Sequence, residues 1–555
     1  MRTSRIFRFF GATVAAVVLA AAAVAASQSA SPGPRVEISF ASAARGTPVT
    51  GRVYVAISRV NDRQTPIQQA DSTGAPLFGK NVDGLAPGAT AVIGADDLGH
   101  PVASLRDIPA GDYWIQPFVN VYTEFKRADG HTVWLHMDQW EGQNWRRSPG
   151  NLYGDPVQMH FDPASAAPIR LVADKVIPPV QVPADTDTIK RIKIQSQILS
   201  KWWGQPIYLG ATITLPKDYA THPDVKYPVI YSQGHFSLGA PGAGGGGPST
   251  GSGQGGRGGQ GAAPADNGPA PRVIWVSLQH PSPYYDDSYG VNSENNGPYG
   301  DAIMQELLPA LESQFRIIRQ PWARMLTGGS TGGWIALAHQ VFYPDFYGGS
   351  FALCPDGVDF RYHQIVNVYD DANAYWVDRG WTKLERPDTR RPDGNITAMM
   401  KDENWFELVQ GDHSRSGGQW DIWEATYSPV GPDGYPKRIW DKKTGVIDKD
   451  VAKYWKEHYD LRNILETNWT VLGPKLANKI NVYVGDADTY YLNMGVHMLE
   501  DFLKKADDPK WTGEIVFQPM APHCWGPRGA ELFDKIVAQI DKYAPAGADL
   551  KSWRY

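Results

Sequence analysis

Residues 328–333 read Gly328-Gly-Ser330-Thr-Gly-Gly333, a G-x-S-x-G pattern with small residues around the serine. A strand-like run precedes it at residues 323–327, and residues 334–342 carry apolar side chains at helical spacing. The order strand, sharp turn, helix predicts that Ser330 lies on a strained elbow with its hydroxyl exposed at the start of the helix. The backbone N–H of Thr331 would then point at a substrate carbonyl oxygen. The alternative is a glycine-rich turn with a solvent-exposed serine.

A nucleophilic serine needs a base, and the base needs an acid that orients it. When the serine lies on such an elbow, the chain order is serine, acid, histidine. Residues 479–484 form a strand-like run that is followed by Asp486 and Asp488, and both are candidates for the acid. His523 follows the next strand-like run, at residues 514–517, and is the candidate base. A structural loop histidine is the alternative for His523.

Strand-like and helical runs alternate around this motif. Strands are predicted within residues 205–215, 227–231 and 273–278, and an amphipathic helix with a kink at Pro309 is predicted over residues 301–315. Alternation of this kind predicts an α/β domain with a mostly parallel sheet.

Four segments, taken in order, resemble the putative-esterase group of α/β hydrolases, which includes esterase D, feruloyl esterases, enterochelin esterases and related mycolyltransferases. They are residues 227–234, 306–315, 328–349 and 485–492. In that group the acid follows a glycine by three positions, which favours Asp488 after Gly485. The resemblance implies an α/β-hydrolase fold and a carboxylic ester hydrolase that uses Ser330, Asp488 and His523 and needs no cofactor or metal.

The sequence departs from that group at the strand that precedes the oxyanion hole. The group usually has His-Gly there, and this chain has Gln233-Gly234. By the resemblance, the second oxyanion donor, beside the N–H of Thr331, is the backbone N–H of His235. A backbone donor survives such a change of side chain.

The regions outside this motif predict the domain organisation. Residues 35–175 alternate apolar and polar side chains between Gly, Pro, Asp and Asn clusters, which predicts an all-β, sandwich-like domain. A Pro-rich linker follows at residues 176–189, and the α/β domain extends over residues 190–545. Within it we expect a glycine-rich disordered loop at residues 239–270 and a cap insertion at residues 357–470.

The predicted cap is rich in tryptophan and poor in regular patterns. Apart from a helix at residues 450–458, it shows few regular runs. Eight of the 20 Trp residues lie between Trp376 and Trp469, and Trp525 follows the candidate base by two. Some of these Trp must form the core of the cap, but as a group they favour a ring- or sugar-stacking pocket over a lipid tunnel.

The N-terminus has the pattern of a cleaved signal peptide. Arg2, Arg5 and Arg8 precede an uncharged run that ends in an Ala-x-Ala pattern near residue 26. An uncleaved anchor is the alternative, since the run is just long enough to span a bilayer. We therefore expect a secreted or periplasmic protein with no stable membrane insertion after cleavage.

Charge and cysteine content exclude other classes. The net charge of −6 argues against nucleic-acid binding, and the 555 residues contain two cysteines, which excludes a disulfide framework or a Cys-rich zinc module. In an exported protein, Cys354 and Cys524 either form a disulfide that ties down the loop of His523 or remain buried thiols.

The function predicted from these residues is an exported serine esterase acting on a small-molecule or polysaccharide-linked ester, with a carbohydrate, aryl or siderophore component. An acyltransferase of the same fold is one alternative, because only the exclusion of water separates it from a hydrolase. A non-catalytic glycan-binding protein with a relic hydrolase domain is another. A propeller-type peptidase is excluded, because the N-terminal residues are too few to form the propeller.

Overall fold

A computed structural model describes residues 33–239 and 270–555 of the chain. The signal peptide predicted over residues 1–26 lies outside these ranges, and so does the glycine-rich loop predicted over residues 239–270, apart from its two end residues. In the part of the chain that the structure describes, no helix is both long enough and apolar enough to cross a membrane.

The N-terminal region forms two β-sheets with an apolar core between them, and a separate two-stranded hairpin of β7 and β8. One sheet has the strand order β11-β1-β4, and the other has the order β12-β9-β6-β2-β3-β5, with β10 paired to β6. Val36 and Ile38 of the first sheet share a core with Val53 and Val55 of the second. The elements are β1 (Val36–Phe40), β2 (Val49–Ser58), α1 (Pro66–Gln69), β3 (Leu77–Leu85), β4 (Ala91–Ile93), β5 (Gly99–His100), β6 (Gly111–Val121), β7 (Thr123–Lys126), β8 (Thr132–Leu135), β9 (Leu152–Tyr153), β10 (Val157–Phe161), β11 (Ile169–Ala173) and β12 (Lys175–Val176).

The N-terminal region is joined to the rest of the molecule by packing. The β7–β8 hairpin places Phe125, Val133 and Leu135 in the apolar core of the α/β region. On another side, the Nε of Arg52 in β2 donates to the carbonyl oxygen of Val409 (2.9 Å). The N-terminal sheets therefore contact both the α/β region and the predicted cap.

An eight-stranded sheet forms the centre of the α/β region, in the order β13-β14-β16-β15-β19-β20-β25-β26, where β25 is Ile480–Gly485 and β26 is Glu514–Gln518. The six neighbouring strands from β16 to β26 pair in parallel. At the other end of the sheet, β13 pairs antiparallel with β14, and β14 pairs antiparallel with β16. The first elements of the region are β13 (Ile189–Ser196), α2 (Gln197–Trp203), β14 (Ile207–Thr214), β15 (Val229–Gln233), β16 (Ile274–Gln279), β17 (Asn292–Ser293), β18 (Gly297–Pro298), α3 (Tyr299–Ala302), α4 (Leu308–Gln314), β19 (Arg324–Gly329), α5 (Thr331–Phe342) and β20 (Gly349–Leu353).

The helix predicted over residues 301–315 is present, with a different irregularity from the predicted kink. Between α3 and α4 the chain makes a π-helical turn over Ile303–Leu307. Pro309 has no N–H to offer the carbonyl group of Gln305, and its ring would crowd that group in a regular α-helix. A wider turn directly before the proline removes this conflict.

The segment predicted as a cap has more regular structure than its sequence pattern indicated. Besides the predicted helix at residues 450–458, it contains two hairpins and further helices. The reason is burial: residues 420–427 of α7 are all buried, and a helix buried on every side shows no amphipathic periodicity. The elements are β21 (Trp376–Asp378), β22 (Lys383–Glu385), β23 (Pro387–Arg390), β24 (Ile396–Met399), α6 (Met400–Gln410), α7 (Gln419–Tyr427), α8 (Lys449–His458) and α9 (Leu461–Leu476).

The tryptophans of the cap mainly form its own core. Trp420, Trp423, Trp440 and Trp455 are at most 5% exposed and surround the ring of His363 at centroid distances of 4.5–6.3 Å. Trp381, by contrast, is 99% exposed. The expectation that the cap tryptophans line a stacking pocket is therefore wrong for these four buried rings, because they pack against one another.

The remaining elements complete the parallel part of the sheet: β25 (Ile480–Gly485), α10 (Asn493–Lys505), β26 (Glu514–Gln518) and α11 (Ala530–Tyr543). Because β19, β20, β25 and β26 run in the same direction, the loops after them meet at one edge of the sheet. Ser330, Asp488 and His523 lie after β19, β25 and β26, and His235 follows the neighbouring parallel strand β15.

Candidate active site

Ser330 lies between β19 and α5 in a strained backbone conformation, with φ of 58° and ψ of −125°. Only close packing sustains such an angle for a residue other than glycine. A Cβ atom on Gly328 would lie 2.3 Å from the carbonyl oxygen of Gly332, and one on Gly332 would lie 2.1 Å from that of Gln233. The glycines of the motif are thus required by close backbone contacts, and together they hold the Ser330 hydroxyl at the start of α5.

His523 links the serine to a buried carboxylate. Its Nδ1 lies 2.8 Å from Oδ2 of Asp488, and its Nε2 lies 3.0 Å from Oγ of Ser330. Because a carboxylate only accepts, Nδ1 donates to Asp488 and Nε2 is left to accept the serine proton. The structure thus brings Ser330, His523 and Asp488 into one hydrogen-bonded chain.

Asp488 is fixed by the loop that follows β25. Its carboxylate is fully buried, and its second oxygen accepts hydrogen bonds from the backbone N–H groups of Tyr490 (2.9 Å) and Leu492 (3.2 Å). The other acid that the sequence left open, Asp486, turns away and pairs with Nε2 of His497 (3.0 Å). Of the two candidates, only Asp488 contacts His523.

The charge around His523 favours its protonated form. Burial opposes the imidazolium, but the carboxylate of Asp488 outweighs burial, and the pKa of His523 is raised. Asp356 adds to this rise, and the ring of His235 opposes it. The surroundings of His523 therefore stabilise its imidazolium form.

The predicted oxyanion donors lie on two adjoining segments. Thr331 is the first residue of α5, and His235 follows the end of β15. A Cβ atom on Gly332 would come within 2.9 Å of the backbone nitrogen of Gly234, so the two segments touch directly beside the serine. Gln233, which stands where the esterase group usually has histidine, accepts a hydrogen bond through its side-chain oxygen from Nε2 of His280 (3.2 Å).

The ring of His235 forms an ion pair with two acids. Its Nδ1 lies 2.9 Å from Asp286 and 3.4 Å from Asp287. Burial lowers the pKa of His235, but the two carboxylates outweigh burial and hold it well above its ordinary value. The possible metal-ligand atoms of these three side chains all lie within 4.8 Å of one another, so within the described ranges they form a group that could hold a cation. The ion pair between His235 and the two acids already explains why the three side chains lie together.

Cys354 and Cys524 are joined by a disulfide. Cys524 adjoins His523, and Sγ of Cys354 lies 3.2 Å from the backbone nitrogen of Ser330. The bond therefore ties the loop of the base to the end of β20 beside the nucleophile. Neither sulfur is a free thiol.

Sequence reasoning missed a group of polar side chains close to Ser330. Asp356 lies 3.3 Å from Oγ of Ser330, and it bonds Tyr289 and Thr331. From the cap helix α7, Gln419 and Trp423 reach the same group. Asp356 follows the end of β20, so the rule that placed Asp488 after a strand would also have found Asp356. No local pattern marks Gln419 or Trp423.

The parallel strands, the elbow and the serine–histidine contact define a class: this is a serine hydrolase built on an α/β sheet with helices. The sequence model of the family described as "Putative esterase" matches residues 208–516. The chain therefore belongs to this family, and it is a carboxylic ester hydrolase.

Several solved structures are similar. A fluorophosphonate-binding serine hydrolase of Staphylococcus aureus is 12% identical in sequence. The alignment covers 63% of this chain and 98% of that hydrolase, with a TM-score of 0.32. An S-formylglutathione hydrolase from Agrobacterium tumefaciens is 13% identical, with 64% and 92% covered and a TM-score of 0.30. A ferulic acid esterase from Anaeromyces mucronatus is 13% identical, with 64% and 92% covered and a TM-score of 0.27. No curated protein matches the sequence.

Proposed function

We propose that this protein is an exported serine esterase that hydrolyses a carboxylic ester through an acyl-enzyme on Ser330. The observation that carries the proposal is the continuous hydrogen-bonded chain from Ser330 through His523 to the buried Asp488. Such a chain converts a weak serine nucleophile into a reactive one.

In the proposed mechanism, Oγ of Ser330 attacks the ester carbonyl carbon while Nε2 of His523 takes its proton. Asp488 keeps Nδ1 protonated and stabilises the imidazolium. The backbone N–H groups of Thr331 and His235 stabilise the oxyanion, and the loss of one such donor typically costs about 10²–10³ in rate. His523 then gives its proton to the leaving alcohol. In the second half-reaction His523 takes a proton from water as the water oxygen attacks the acyl carbon, and it returns that proton to Oγ of Ser330 as the carboxylic acid leaves.

Support for an aryl or carbohydrate ester comes from aromatic residues at the site itself. The ring of Tyr490 stands edge-on to His523 at 4.8 Å, and Trp525 follows that histidine by two residues. Aromatic faces of this kind stack on sugar and phenyl rings. The four buried tryptophans of the cap do not contribute to this argument.

The same proposal includes export by a signal peptide, a location outside the cytosol and a two-domain organisation. The signal-peptide pattern of residues 1–26 and the disulfide between Cys354 and Cys524 both favour an oxidising compartment outside the cytosol. The strand pairings favour an α/β-hydrolase sheet preceded by a β-sandwich domain.

A panel of chromogenic esters, tested with the wild type and Ser330→Ala, examines the proposal. We expect the variant to fall to the background rate, while a control, Ser313→Ala on the surface of α4, keeps the wild-type rate. A fluorophosphonate probe should modify Ser330, as identified by mass spectrometry of the labelled peptide. Turnover by Ser330→Ala at the wild-type rate, or labelling at another serine, would overturn the assignment of the nucleophile.

A further inference from the structure

A second buried carboxyl group faces the nucleophile. Asp356 follows β20 and is 3% exposed. Its Oδ1 lies 3.3 Å from Oγ of Ser330, which lies 3.0 Å from Nε2 of His523. The serine hydroxyl has one proton and two possible acceptors: it donates to His523 when the imidazole is neutral, and it can donate to Asp356 when Nε2 of His523 is protonated and itself donates to Oγ.

The other carboxylate oxygen of Asp356, Oδ2, accepts hydrogen bonds from three different segments. The hydroxyl group of Tyr289 donates to it from the loop after β16 (2.5 Å), and that of Thr331 donates from the elbow (3.2 Å). From the cap helix α7, Nε1 of Trp423 lies 3.3 Å away and Nε2 of Gln419 lies 3.4 Å away. Trp423 and Gln419 also donate to the Tyr289 hydroxyl. This network joins the cap to the nucleophile.

The charges around Asp356 act in both directions. Burial raises its pKa, and the hydrogen bond from Tyr289, the rings of His523 and His235 and the hydrogen bond from Thr331 limit the rise. In return, the charge of Asp356 raises the pKa of His523. The titratable groups that feel Asp356 from the surrounding segments are His235, Tyr285, Tyr289, Tyr427 and His523.

We propose that Asp356 is a second acidic positioning residue, which holds the Ser330 hydroxyl beside His523 while the imidazole is protonated, stabilises the imidazolium together with Asp488, and is itself oriented by Gln419 and Trp423 of the cap. The inference rests on the proposed function of Ser330 and His523. It makes the cap part of the catalytic arrangement, because a displacement of α7 removes two donors from Asp356.

The first test replaces Asp356 with Asn, which keeps the shape of the side chain and removes its charge. We expect kcat to fall by about 10²-fold with KM little changed, as misplacement of a reacting group by a small distance does. We also expect the acid limb of the kcat/KM profile to move to lower pH, because His523 loses a negative neighbour. A merely structural role would not move that limb.

The matched control is Asp359→Asn. Asp359 is also buried, lies three residues further along the same loop, and pairs with Arg361 instead of the serine. We expect its pH profile to stay that of the wild type. An Asp356→Asn enzyme with wild-type kcat and an unmoved acid limb would overturn the inference, and it would leave the proposed function intact as long as Ser330→Ala is inactive.

A second pair of variants tests the link to the cap and does not depend on the folding of Asp356→Asn. Trp423→Phe removes one N–H donor from the network, so we expect a severalfold fall in kcat and a smaller shift of the acid limb in the same direction. Trp455→Phe is the control, because its Nε1 donates to Ser428 (2.9 Å), away from Asp356. Equal pH profiles and rates for the two variants would show that the cap does not act through Asp356.

Discussion

Two buried histidines, one at the edge of the sheet and one in the cap, differ in what surrounds them. His523 bonds Asp488 and Ser330, and the carboxylate outweighs burial, so its pKa is raised. Among the described residues, His363 has no hydrogen-bond partner for either ring nitrogen, and burial among tryptophans lowers its pKa to about 3. The same side chain thus bonds a serine and a carboxylate in one region and is a packing ring in the other.

The difference teaches that burial alone does not identify a functional group. What separates the two histidines is a partner of opposite charge, which His523 has in Asp488. Backbone strain does not separate them: Ser330 and Cys524 at the sheet edge have positive φ angles, and so does Gln364, which adjoins His363.

The largest effect is expected when the hydrogen bond between Asp488 and His523 is altered. Asp488→Asn leaves the geometry in place but removes the charge that fixes the His523 tautomer, so we expect kcat to fall by about 10⁴-fold. Steady-state kinetics on the best ester of the panel measures this.

Asp486→Asn is the control for that experiment, because Asp486 pairs with His497 and is half-exposed. We expect its kcat to stay within twofold of the wild type. If the two variants were equally impaired, the choice of Asp488 as the acid would be wrong.

An intermediate effect tests the cap as a packed core. Trp440 is 1% exposed, and its Nε1 donates to Asn404 (3.0 Å), so Trp440→Ala should lower the free energy of unfolding by about 3–5 kcal/mol. The fully exposed Trp381 provides the comparison, and Trp381→Ala should change that free energy by less than about 0.5 kcal/mol. Denaturant unfolding measures both. A small effect for Trp440→Ala would contradict the assignment of these rings to the core.

The smallest effect concerns pH. Because the pKa of His363 is lowered from 6.5 to about 3 on folding, its neutral form stabilises the protein above pH 6.5, and this contribution is lost as the pH falls towards 3. His363→Phe removes that loss, so its stability relative to the wild type should rise by up to about 1.4 kcal/mol per pH unit of acidification. Unfolding at pH 7, 5.5 and 4 measures the slope.

The surface residue His160 gives the control for the pH experiment, because its side chain is 64% exposed. His160→Gln should follow the wild-type slope. If His363→Phe also followed it, His363 would be hydrogen-bonded to a group such as a water molecule and would not be an isolated ring.

The elbow could be predicted from sequence because its physical requirements are local. Close backbone contacts at Gly328 and Gly332 demand glycine, and the adjoining strand and helix have their own periodicity. The strand before Asp488 and the strand before His523 were recognisable for a similarly local reason, because both are short runs rich in β-branched and aromatic residues.

The cap and the network around Asp356 could not be predicted in this way. Helix α7 is buried on nearly every side, so its sequence lacks an amphipathic pattern, and the partners of Gln419 and Trp423 come from distant segments. Contacts between residues far apart in sequence follow no fixed spacing, so a local sequence pattern does not predict them. The π-helical turn before Pro309 likewise depends on how the chain resolves a local conflict, which the proline alone does not specify.

The disulfide has a further consequence for how the chain responds to cutting. Cys354 and Cys524 are 170 residues apart in sequence, so the bond closes a covalent ring that contains the whole cap and the loop of Asp488. A protease that nicks any exposed loop of this ring leaves the serine side and the histidine side of the site covalently joined. The molecule tolerates one break in its most elaborate insertion without losing the connection between its two reacting side chains.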